Sequence, residues 1–172
     1  MKYVAAIIGL VYAISAFPAL ADPPKGFAIA SFNKAQEISL NVEGKRFVRR
    51  VKPDRISFTC LNCRGTENVD LNLSKSTDGA EGRFRSGENS IARIEAGCKS
   101  RDPACSIEAI AINGAVGWVS STGFGRFGLS MTSLFKNGDK LEIQSMAESR
   151  EAALTNAKAA LNQIAPIIVG KE

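Results

Sequence analysis

The sequence predicts an α+β fold: a twisted antiparallel sheet, built as a strand meander, with a long C-terminal helix packed on one face. Three observations predict it. Short apolar runs alternate with polar residues at period two, as Val69, Leu71 and Leu73 do with Asp70, Asn72 and Ser74. Asn-Gly pairs at 113–114 and 137–138 each separate two strand-like runs, which is the strongest short-range hairpin signal. A stripe at helical spacing follows, made of Ala153, Ala157, Ala160, Leu161 and Ile164.

The chain of 172 residues is 45% hydrophobic and 23% charged, a balance that excludes a disordered, collagen-like or polytopic membrane protein. Residues 1–21 read as a cleaved secretory leader. Lys2 supplies the basic start, Val4 to Phe17 the apolar run, and Ala19-Leu20-Ala21 the small-residue cleavage site. Asp22 follows the expected cut, so no cysteine is offered there for lipid attachment. No later apolar run reaches the roughly 18–20 residues of a spanning helix. Residues 22–172 then form a single domain, expected in the periplasm or secreted, without a transmembrane segment.

The elements follow in order. Residues 22–26 are a polar lead-in, and Phe27 to Phe32 reads as a first strand. Ile38, Leu40 and Val42 alternate with polar residues, and Glu43-Gly44 turns the chain into Phe47, Val48 and Val51, a hairpin. Ile56 and Phe58 mark another strand, and Val69 to Leu73 the next. Residues 74–90 are polar and read as a loop, or as a hairpin turning at Asp78-Gly79. Asn89 or Ser90 caps a short helix with Ile91, Ile94 and Cys98 on one face, ended by Gly97. Ile107 to Ile112, Ala115 to Ser121, Leu129 to Phe135 and Leu141 to Ser145 form the meander. Ser149 caps the long helix, with Glu151 in its first turn. Pro166 disfavours helix at Ala165, so the helix should stop there and leave Ile167 to Val169 to pack back on the sheet.

Four cysteines, Cys60, Cys63, Cys98 and Cys105, read as two disulfides in an exported chain. Three connectivities exist. The local pairs Cys60–Cys63 and Cys98–Cys105 are favoured, the second because Asp102-Pro103 forms a turn between its members. Two sharper readings compete. The C-x-x-C spacing is that of thiol–disulfide oxidoreductases, but those cysteines sit at a helix N-terminus, and here a strand precedes and Arg64-Gly65 follows. Zinc on four thiolates fits the first spacing, whereas six residues separate the second pair.

The chain contains no histidine, which removes Ser-His-Asp and Cys-His catalysis and imidazole proton transfer. No cofactor is expected. Gly123 to Gly128 matches G-x-G-x-x-G, but Leu129 to Phe135 reads as strand where a dinucleotide site needs a helix. The bland reading is a flexible or bulged connection. A functional reading is a mobile loop presenting Phe124, Arg126 and Phe127 to a partner. Asp78, Glu81 and Glu88 are carboxylates with nothing to fix a catalytic separation.

The strongest binding signal is basic. Lys45, Arg46, Arg49, Arg50 and Lys52 fall within eight residues. As a strand, the segment puts Arg46, Arg50 and Lys52 on one face with Val48, and Lys45 and Arg49 on the other with Phe47 and Val51. Charge on both faces suits an edge strand, where it opposes edge-to-edge aggregation. The functional reading is an anionic partner: lipid, lipopolysaccharide phosphate or an acidic protein. Arg83 and Arg85 would extend the patch if folded near it. The compartment argues against nucleic acid.

The strand–strand–strand–helix ending, residues 106–165, resembles the PsbP-like α+β proteins, which implies a twisted antiparallel sheet backed by helices. The exported, cysteine-paired, β-rich character also resembles the invasion-associated locus B family of envelope proteins, from which the cysteine spacing and helical ending depart. Neither resemblance transfers a functional residue. The sequence therefore predicts a non-enzymatic envelope protein that binds or supports an anionic component, with thiol–disulfide exchange at Cys60 and Cys63 as the alternative.

Overall fold

The computed structural model describes residues 25–34 and 37–171. The expected leader and its expected cleavage point lie outside the described residues. Among the described residues, seven strands form one antiparallel sheet: β1 (Phe47–Val51), β2 (Arg55–Cys60), β3 (Asn68–Lys75), β4 (Ser106–Ile112), β5 (Ala115–Phe124), β6 (Phe127–Lys136) and β7 (Asp139–Ala147). Their order across the sheet is β1-β2-β3-β7-β6-β5-β4. After β3, helices α1 (Ala80–Arg85) and α2 (Ile91–Lys99) carry the chain to the far edge. The meander β4 to β7 then returns to pair with β3, and α3 (Arg150–Gln163) and α4 (Ala165–Val169) follow.

Period-two alternation sends one set of side chains to the α3 side. Ile56, Phe58, Val69, Leu71, Leu134, Leu141 and Ile143 are buried there with Leu161, Ile164 and Ile168. The sheet is least bulky under α3, where Ser130 and Ser145 are fully buried. The facing helix surface is also small, with Ala153, Ala157 and Ala160 fully buried. Ser149 caps α3 by accepting from the Ala152 N–H (3.1 Å).

The other sheet face is covered on one half only. Phe84 of α1 packs on Trp118 (centroids 5.3 Å apart), which packs on Phe135 (5.6 Å). Helix α2 lies against β4, and the Cys98–Cys105 disulfide ties its last turn to the start of that strand. Over β1, β2 and β3 the same face is open to solvent, with Val48, Arg50, Arg55 and Thr59 exposed.

Both Asn-Gly turns form as expected. Asn113 (φ 46°) and Gly114 (φ 77°), and Asn137 (φ 50°) and Gly138 (φ 82°), take the positive dihedrals that the twist of a two-residue hairpin demands. Several expectations need correction. Phe27 to Phe32 is not a strand: Ile29 N–H donates to the Ile168 carbonyl (3.1 Å) and Phe32 N–H to that of Pro53 (2.8 Å), so this segment bonds to α4 and to the β1–β2 turn. Ile38 and Leu40 are buried as their alternation requires, yet only a single bridge, Val42 to Lys45, closes the turn at Gly44. Residues 80–85 are helical rather than loop, because Asp78 accepts from the Ala80 N–H and Glu81 anchors the turn to the β6–β7 hairpin. Helix α2 continues past Gly97 to Lys99. Helix α3 ends at Gln163, as Pro166 requires, but the tail after it is not extended: Ala165–Val169 forms α4, with Pro166 in its first turn, where a residue has no helical partner for its N–H.

Candidate functional site

The basic segment forms β1, and β1 is an edge of the sheet. Lys52 N–H donates to the Arg55 carbonyl and Leu61 N–H to that of Arg46. Counting by twos between those bonds, Arg46, Val48, Arg50 and Lys52 turn their backbone groups toward β2. Phe47, Arg49 and Val51 therefore turn theirs outward, where no backbone partner is found among the described residues.

The cations of the segment have different fates. Arg46, Arg50 and Lys52 are exposed, and no salt bridge engages them among the described residues. Arg49 is exposed but donates through Nη1 to the Ile38 carbonyl (2.7 Å). Lys45, expected in the binding set, is engaged within the fold. Its Nζ lies 2.6 Å from Glu67 Oε2 and 3.1 Å from Asn156 Oδ1, while Asn156 Nδ2 donates to the same carboxylate oxygen (2.9 Å). Glu67 and Asn156 are buried, so Lys45 neutralises a charge inside the fold. Neither Glu67 nor Asn156 stood out in the sequence.

Two grooves flank β1. On the open face, Val48, Arg50, Arg55, Ser57, Thr59 and Asp70 line one of about 610 Å³. The Asp70 carboxylate there is paired with Arg55 (2.7 Å). On the core-facing side, Ile38, Leu40, Lys45, Phe47, Arg49 and Phe58 line one of about 400 Å³, with Glu37 at its rim. Residues 37–41 make the second wall of this groove. Arg49 borders both.

The glycine-rich segment is neither a dinucleotide loop nor a long mobile one. Strands β5 and β6 pair up to Phe124 opposite Phe127, so Gly125 and Arg126 alone make the turn. Gly125 takes φ 59°. Strand β6 follows where a nucleotide site would need a helix. Phe124 is 63% exposed, Phe127 is half-buried, and Arg126 lies 4.9 Å over the Phe127 ring. Strands β2, β3 and β7 lie between β1 and β6, so this tip and the basic strand are separate surfaces. Arg85 is also separate: it bonds Glu81 and the Gly114 carbonyl, at the turn beside the opposite edge.

The four cysteines form Cys60–Cys63 (Cα–Cα 5.7 Å) and Cys98–Cys105 (5.9 Å). Cys60 ends β2, and the next element is β3, not a helix. The dipole that lowers a catalytic cysteine's pKa is therefore not directed at this pair. Asn62, between them, accepts from the Arg46 N–H (2.8 Å) and donates to the Gly44 carbonyl (2.9 Å). The bridge thus fixes the entry into β1.

Asp78 and Glu81 bond within the fold. Burial of Glu81 opposes its ionisation, but the Gly138 N–H, Arg85 and the Asn137 N–H outweigh it and lower its pKa. Asp78 is lowered chiefly by the Ala80 N–H. A carboxylate the sequence did not single out for chemistry is the most strongly held. Asp102 is pulled down to about 2, first by the Gly123 N–H, then by the Thr122 hydroxyl, the Ala104 N–H and Arg150. It joins the α2–β4 loop to β5 and α3. No helix among the described residues is long and apolar enough to cross a membrane. No protein-family model, curated protein or solved structure matches the chain.

Proposed function

We propose that this is an exported, non-enzymatic protein that binds an anionic envelope component or acidic partner through β1. One observation carries the reading: Arg46, Arg50 and Lys52 stand exposed and without a salt-bridge partner on a free sheet edge, while the neighbouring Lys45 and Arg55 are matched to acids. Unmatched cations in a row attract an anion without any cost of breaking internal pairs. Two closed disulfides suit an oxidising compartment, in keeping with the leader expected over residues 1–21.

The test is binding to anionic liposomes and to envelope extracts. Replacing Arg50 and Lys52 together by Glu is expected to lower liposome affinity at least tenfold and leave the melting temperature within a few degrees. Unchanged binding would remove β1 as the contact. The second reading is thiol–disulfide exchange at Cys60–Cys63, supported by the closed bridge and the 55% exposure of the intervening Leu61. Insulin reduction above the level of a Cys63→Ser protein would establish it.

A further inference from the structure

We propose that β1 captures an extended acidic segment of a partner protein by strand addition, the incoming segment becoming an eighth, antiparallel strand outside β1. This deepens the anion-binding reading and rests on it. What it adds is the form of the ligand: a backbone, with side chains alternating between acidic and apolar.

The backbone supplies the first argument. Phe47, Arg49 and Val51 each direct one N–H and one C=O away from β2. That spacing is the template an antiparallel strand needs, since residues facing one another across such a pair exchange both bonds. The other edge, β4, differs. It has α2 against it, and its Glu108 is matched to Lys158 (2.7 Å).

The side chains supply the second. A strand laid outside β1 would send alternate side chains to the two flanking grooves. On the open face they would meet Arg46, Arg50 and Lys52, with the Asp70 charge already neutralised by Arg55. On the core-facing side they would meet Phe47 and Val51, with Arg49 between them already engaged on the Ile38 carbonyl, beside the groove walled by residues 37–41. The complementary segment therefore carries acids at every second position and aliphatic residues between them. Glu37, at the rim of that groove, further disfavours acid on that side.

Charge supplies the third. The same arginines and lysine that would attract an acidic strand repel a second β1. The edge therefore resists pairing with itself while remaining open to a strand of opposite charge, which is how a free edge serves recognition without aggregation.

The experiment uses the oxidised protein and a short fluorescent peptide alternating glutamate with valine, read by anisotropy. Two methylated versions carry the decision. In antiparallel pairing the valine amides face β1 and the glutamate amides face away. N-methylation of the valine amides is expected to weaken binding at least tenfold, and methylation of the glutamate amides to change it less than threefold. Val51→Pro, which removes one outward N–H and leaves the β1–β2 bonds intact, is expected to weaken the parent peptide about tenfold. Circular dichroism checks that this variant is folded. If both methylated peptides bind as the parent does, strand addition is overturned. If the Arg50→Glu, Lys52→Glu protein then loses the parent peptide, anion binding at β1 stands without it. If vesicles of phosphatidylglycerol bind and the peptide does not, strand addition is overturned in favour of a lipid headgroup. If neither probe binds, both readings fall.

Discussion

Among the described residues, Asp102 makes the largest set of bonds of any loop carboxylate. Its two oxygens accept from the Gly123 N–H (2.7 Å), the Thr122 hydroxyl (2.8 Å), the Ala104 N–H (3.1 Å) and Arg150 Nη2 (3.1 Å). These bonds favour the ionised form and hold its pKa at about 2, against an ordinary 3.8. A carboxyl depressed in the folded state contributes stability that is fully present above its unfolded value and is lost as pH falls through the folded one. Melting should therefore decline between pH 3.8 and about 2 through this residue. Asp102→Asn should melt lower than the parent at pH 7, with a shallower decline over that window; calorimetric scans across pH check it. Lys45 shows the limit of reading single residues. The basic run was legible as charge, but the acids and amides that claim Lys45 lie 22 and 111 residues away. Local sequence carries no signal for such a pairing, whereas the freedom of Arg50 and Lys52 follows from alternation on an edge strand.

At the scale of elements, legibility followed the strength of local chemistry. Asn-Gly turns, the Ser90 and Ser149 caps and the alternation of β2, β3 and β7 each have a short-range cause, and each element formed. Helix α1 has only the Asp78 bond to the Ala80 N–H and the Glu81–Arg85 pair as local causes: its only large apolar residue is Phe84, and it is held chiefly by Trp118 and by the Glu81 bonds to the β6–β7 turn. Residues 27–32 failed for the converse reason. Their apolar character is satisfied by packing, and their backbone bonds go to α4 and Pro53 rather than to a strand. The glycine pattern at 123–128 had a structural cause instead of a chemical one. Gly128 lies under the start of α3, where a Cβ would overlap the carbonyl oxygen of Ser149 and the nitrogen of Arg150. Gly128→Ala should displace the capped first turn and cost about 1–3 kcal/mol. A lower urea midpoint with an unchanged slope would show it, and an unchanged midpoint would mean that α3 shifts freely over β6.

At the scale of the whole molecule, the sheet joins two blocks that are each continuous in the chain. One is β1 to β3, and the other is β4 to β7 with α3 and α4. The α+β class was legible because each block is a meander with local turns. The order β3 beside β7 was not, because that pairing brings together residues as far apart as Asn68 and Met146. The candidate binding edge follows from this order: the crossover places β4 at one margin and leaves β1 at the other.

Neither disulfide crosses between the two blocks, since one spans three positions and the other seven. Their only covalent link is the connection through α1 and α2, which passes over the exposed Ser86, Gly87 and Glu88. A protease cut at Gly87 would therefore turn one folded chain into a heterodimer. Each half would keep its own bridge, and the halves would be held by the β3–β7 ladder, the buried Lys45–Glu67–Asn156 contact and the Phe84–Trp118 stack. Its melting temperature would then depend on protein concentration through dissociation of the two halves.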